Sequence, residues 1–167
     1  CGIKFGIIHT PGHSPAHIWI ITPDNVAYVG GCLITDEVMK GAKMPYAYIL
    51  KKDIKSKQDL HNLDCNKYIV AHKGIFDNIH ELIDENIKFY TSRAEAVKNV
   101  MHGKMTREEI LRAVMKEFNI NIKPENIFRF FVIDRMVKCY IDYLAETGEI
   151  EIIVDDGFAK YYIKDEK

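Results

Sequence analysis

The chain has 167 residues, a formal net charge of −1 and 47% hydrophobic residues. That length suits one medium domain or two small ones, and the apolar content calls for a packed core rather than disorder. The near-neutral balance argues against a global pull towards nucleic acid or anionic membrane. No apolar run reaches membrane-spanning length, and the N-terminus lacks a basic-then-apolar signal, so a cytoplasmic setting is expected.

In chain order, residues 3–8 read as a strand, and residues 7–21 hold the most informative stretch: Ile-Ile-His-Thr-Pro-Gly-His-Ser-Pro-Ala-His-Ile-Trp-Ile-Ile. His9, His13 and His17 are four residues apart, a spacing that would align them on a helix. Pro11 and Pro15 remove amide donors and fix φ, and Gly12 favours a turn, so the segment reads as strand, tight loop, strand. A rigid loop of neutral imidazoles suits a metal site.

A second strand is expected over 16–22, a turn at Pro23-Asp24-Asn25, and a third strand over 26–29 that Gly30-Gly31 ends. These strands are nearly continuous in apolar residues, which predicts cover on both faces. Residues 41–57 mix lysines (Lys43, Lys51, Lys52, Lys55, Lys57) with Met44, Tyr46 and Tyr48. Such a mixture can hold an anionic substrate, but a solvated loop is the favoured reading. A short helix over 56–63 and a buried strand over 67–71 that delivers His72 follow. Asp77 is the expected N-cap of a long helix whose stripe includes Ile79, Leu82, Ile83, Ile87, Tyr90 and Val97. The four cysteines, Cys1, Cys32, Cys65 and Cys139, are scattered with no Cys-x-x-Cys, which favours reduced thiols.

A domain boundary is expected near residues 101–104, giving domains 1–102 and 103–167. The second opens with the capping box Thr106-Arg107-Glu108-Glu109. An apolar stripe from Ile110 to Phe118, a second helix starting at Pro124 and a third ending near Gly148 follow. Strands around an Asp155-Asp156-Gly157 turn complete it.

The histidine loop resembles the third motif of the metallo-β-lactamase superfamily, His-Thr-Pro-Gly-His-Ser-Pro-x-His. The resemblance implies that His13 is a metal ligand and that His9 and His17 support it. Ile-Val-Ala-His-Lys-Gly resembles the family's last ligand motif, with His72 as the ligand and Ala71 in place of the usual glycine. The family's aspartate, at the end of a strand in Gly-Asp, maps onto Gly31, which cannot ligate. The first motif, His-x-His-x-Asp-His, occurs nowhere in the chain.

The resemblance therefore implies an α+β fold: the C-terminal half of an αββα sandwich followed by a winged-helix-like domain of three helices and a hairpin. The cofactor it implies is zinc, and the chemistry is hydrolysis of an ester, lactone, thioester or phosphodiester. With only His13 and His72 left, the chain alone is expected to be inactive or nearly so. The alternative is a non-catalytic binding module. Nucleic-acid binding through the second domain is disfavoured, because residues 104–167 hold 11 Lys+Arg against 13 Asp+Glu. Half a sandwich would leave a sheet face with Ile7, Ile18, Ile20, Val29 and Ile69 uncovered. A homodimer, or a missing N-terminal half, is expected to cover it.

Overall fold

A computed structural model describes residues 2–72 and 74–164, with only the backbone described at His72. The chain divides into two compact units, residues 1–90 and 91–167.

The first unit is built on a five-stranded sheet in the order β1-β2-β3-β4-β5. The strands are β1 (Gly6–His9), β2 (Ile18–Ile21), β3 (Val26–Ile34), β4 (Lys67–His72) and β5 (Gly74–Phe76). All neighbours pair antiparallel except β3 and β4, which run parallel. The parallel pair needs a crossover, supplied by α1 (Asp36–Gly41) and α2 (Leu50–Leu60). Helix α3 (His80–Asn99) begins in this unit.

One sheet face is packed. Trp19, Ala27, Val29, Tyr68 and Val70 form a core with Leu60 of α2, Ile79 just before α3, and Leu82 and Ile83 in its first turn. Asn86 ties α3 to the end of β3: its Oδ1 accepts from Ile34 N at 2.9 Å and its Nδ2 donates to Ile34 O at 2.8 Å. The buried amide thus has partners for both its acceptor and its donor.

The other face is open within this unit. The strand register aligns Ile7, Ile20, Tyr28, Ile69 and Ile75 in one row across all five strands. Ile7 is 66%, Tyr28 41% and Ile75 68% exposed. Continuous apolar sequence predicted cover on both faces, and the unit supplies cover on one. Val29, expected on the open face, belongs to the core instead.

Gly30-Gly31 does not end β3. Gly30 takes φ +62°, and the register with β4 shifts between Tyr28 and Gly30. The glycine makes a bulge, after which the strand continues to Ile34. Helix α2 also starts earlier than the sequence suggests. Leu50, Ile54, Lys57 and Leu60 form its buried stripe, so half of the expected solvated loop is helix. Before α3, Asn78 rather than Asp77 serves the helix entry, its Oδ1 accepting from His80 N at 2.8 Å. Asp77 instead pairs with Lys67 at 2.6 Å.

In the second unit, α4 (Arg107–Glu117) opens with the expected capping box between Thr106 and Glu109. Pro124–Asn126 is a 3₁₀ turn that leads into one 20-residue helix, α5 (Ile127–Glu146), where two helices were expected. Proline supplies the first turn but no separate helix, because Ile127 onward continues without a breaker. Strands β6 (Ile150–Asp155) and β7 (Phe158–Ile163) form a hairpin. Asp156 and Gly157 both have positive φ (53° and 77°), as a type I′ turn needs. Met105 pairs with Tyr161, joining the entry of α4 to the hairpin.

Candidate functional site

The histidine loop is the connection between β1 and β2. It is closed by Thr10 N donating to His17 O at 2.9 Å, directly beyond the His9–Ile18 pair. Its base rests on α2. Gly12 O accepts from Tyr48 N at 2.8 Å and Ile49 N at 3.0 Å, and Pro11 O accepts from Ser56 Oγ at 2.9 Å. Gly12, at φ +139°, lies so close to Asp53 that a β-carbon would fall 2.1 Å from Asp53 N. Only glycine allows that approach.

Three imidazoles are fixed differently. His9 donates from Nε2 to Pro15 O at 3.0 Å. His17 Nδ1 shares a 2.8 Å hydrogen bond with Thr10 Oγ1. His13 stands edge-on to the His17 ring, with centroids 5.5 Å apart, and edge-on to Tyr46 at 5.8 Å. His17 reaches towards β3, where its Nε2 would be 2.7 Å from a β-carbon on Gly30. His17 and His13 are therefore brought together, and His9 is turned to the loop's own backbone.

His72 ends β4, where its backbone pairs with Ile34. Because β2 runs antiparallel and β4 parallel to β3, the histidine loop and the end of β4 lie at the same end of the sheet. The His72 side chain lies outside the described residues.

Beneath the loop lies a pair that sequence reasoning missed. Asp53 Oδ2 and Lys57 Nζ, one turn apart on α2, form an ion pair, and both residues are 0% exposed. Lys57 Nζ also sits over the Tyr90 ring, 4.4 Å from its centroid. Asp53 Oδ1 is buried with no hydrogen-bond partner among the described residues. The i, i+4 spacing and the place of Lys57 on the Leu50-Ile54-Leu60 stripe are the signals in the sequence. The density of lysines around them hid both.

Electrostatically, burial pushes the His17 pKa below its ordinary value, the Asp53 carboxylate and a backbone hydrogen bond at Thr10 oppose that, and Lys57 adds to it. The direction favours the neutral imidazole, the form that a metal requires. Cys32 donates to Val29 O at 3.1 Å and accepts from Trp19 Nε1 at 3.3 Å. Burial pushes its thiol up to about 11, which makes it inert at neutral pH.

Among the described residues, no group of three or more His, Cys, Asp or Glu is arranged to hold a metal ion. Gly31 adds no ligand. A catalytic zinc takes three protein donors and a water, so the described residues do not fit a complete zinc site.

Two solved structures resemble the chain over 98% of its length at a TM-score of 0.69. One is a metallo-beta-lactamase family protein from Thermus thermophilus, at 19% sequence identity. The other is a beta-lactamase domain protein from Burkholderia ambifaria, at 13%. The fold is that of metallo-β-lactamase proteins. This chain spans 50% and 48% of the length of those two structures. No family model matches the sequence, and no curated protein matches it. Among the described residues, no helix is long and apolar enough to cross a membrane.

Proposed function

We propose that this chain is the C-terminal portion of a metallo-β-lactamase-fold hydrolase, contributing His13 and His72 as imidazole ligands to a zinc site it does not complete. The supporting observation is the placement of the His13 loop and the end of β4 at one end of the sheet in a fold shared with metallo-β-lactamase proteins. Zinc in such a site lowers the pKa of bound water and polarises the scissile bond. Two imidazoles fall one donor short, and Gly31 leaves the aspartate position empty of ligand. The chain alone is therefore inactive towards esters, lactones, thioesters and phosphodiesters. Residues 103–167, two helices and a hairpin in place of the expected winged helix, act as an appendage that packs or covers substrate. Their net charge of −2, from 11 Lys+Arg and 13 Asp+Glu in 104–167, disfavours nucleic acid.

A chromogenic ester, a thioester and a bis-aryl phosphodiester, each assayed with zinc present, form the test. Turnover no faster than buffer supports the reading, and zinc-dependent turnover abolished by His13→Ala overturns it.

The open row from Ile7 to Ile75 supports a second reading, a protein-interaction module in which the histidine loop is a relic. In that case removing His13 and His72 together leaves partner binding unchanged.

A further inference from the structure

At the other end of the sheet from the histidine loop, where β4 starts, α2 ends and α3 begins, lies a second cluster of donors. His61 follows the last turn of α2, and His80 opens α3. Their ring centroids are 5.0 Å apart, with planes tilted by 51°. His61 Nε2 is hydrogen-bonded to Asp84 Oδ1 at 2.9 Å, and Asp84 is one turn beyond His80 on α3. Both imidazoles line a cavity of about 200 Å³ shared with Asp64, Cys65 and Asp77.

The spacing has a geometric meaning. With a metal–nitrogen bond of about 2.0–2.1 Å and a ring centre about 1.1 Å further on, two imidazoles at about 90–109° on one ion have centroids about 4.5–5.2 Å apart. His61 and His80 fall within that range, and the His13–His17 pair, at 5.5 Å, is wider. A carboxylate on the far nitrogen is the usual device for fixing the tautomer and orientation of a ligating histidine. With Asp84 on Nε2, Nδ1 becomes the lone-pair nitrogen of His61.

We infer that His61 and His80 form a binding site for a divalent first-row transition metal ion, oriented by Asp84 and separate from the histidine loop. The site has two imidazoles on the ion, Asp84 behind one of them, and water in the remaining positions. Two-imidazole coordination follows the general order for such ligands, so copper(II) binds more tightly than nickel(II), which in turn exceeds cobalt(II).

The test is calorimetric titration of copper(II) into the full chain carrying His13→Gln and His72→Gln, which removes the ligands proposed for zinc. One equivalent of copper is expected to remain bound. Adding His61→Gln or His80→Gln is expected to weaken it more than about tenfold, and Asp84→Asn about tenfold. In the unsubstituted chain, copper is expected to broaden the proton resonances of His61 and His80 at substoichiometric addition, a readout that needs no variant to fold. The inference is overturned if the His13→Gln/His72→Gln chain binds no copper, if His61→Gln and His80→Gln leave binding unchanged, or if broadening spares both rings. None of these results depends on whether the histidine loop binds zinc.

Discussion

His17 Nε2 stands 2.7 Å from the position that a β-carbon on Gly30 would occupy. The strand that passes the histidine loop thus has glycine at the one point where the imidazole leans on it, and the same glycine makes the bulge at φ +62°. Gly30→Ala meets both constraints. The left-handed backbone alone costs about 1–2 kcal/mol for a residue with a β-carbon, and the ring must move as well. Urea unfolding is expected to show a loss of at least that size, with a shifted His17 ring resonance. An unchanged His17 spectrum would mean the ring is not held against β3.

The Asp53–Lys57 pair behaves differently when broken than when replaced. Lys57→Met leaves a buried carboxylate without its counter-charge, at a cost of about 3–5 kcal/mol. The double replacement Asp53→Leu/Lys57→Met removes both charges and is expected to recover most or all of that loss. A double-mutant cycle by denaturant titration reads the coupling. If Lys57→Met alone is neutral, the pair is not buried as described.

His17 makes stability depend on pH in a stated direction. Its folded pKa lies below its ordinary value, so the unfolded chain takes up the proton first. The contribution is fully present above about pH 6.5 and is lost as pH falls through that value towards the folded pKa. Proton NMR titration is expected to find the His17 midpoint below the ordinary histidine value. Asp53→Asn, which removes the charge that opposes the shift, should lower it further. A His17 midpoint above the ordinary histidine value would reverse the assignment.

Much of this was legible because local chemistry decided it. Pro11, Gly12 and Pro15 exclude a helix and force the loop. Thr106 and Glu109 write a capping box, and Asp156-Gly157 writes a hairpin turn. The misreadings have tertiary causes. Gly30 looked like a strand end because a bulge and a terminus use the same residue. Lys57 looked solvated because the lysines around it masked its i, i+4 spacing from Asp53 and its place on the apolar stripe, and Tyr90 reaches it only through the fold. The apolar strands looked covered on both faces because sequence reports the hydrophobicity of a face, not what lies against it.

That open face leads to an association prediction. Covering about 600 Å² at about 25 cal/mol per Å² is worth on the order of 15 kcal/mol before association costs. The purified chain is expected to self-associate through it, as a two-fold pair using the same row on both copies. Ile7→Glu and Ile75→Lys change residues that are mostly exposed in the single chain. They are expected to shift light scattering towards the monomer without loss of helix content. A monomeric unsubstituted chain at micromolar concentration would mean the face is covered within the chain.

The most direct measurement is zinc titration by calorimetry of the chain with His61→Gln and His80→Gln, so that only the histidine loop and His72 are in question. Zinc binding weaker than micromolar is expected, because two imidazoles lack a third donor. Gly31→Asp in the same background is expected to tighten it, because the resemblance maps position 31 onto the family's metal-binding aspartate. Submicromolar, one-to-one zinc binding by the chain without Gly31→Asp, lost on His13→Ala, would contradict an incomplete site.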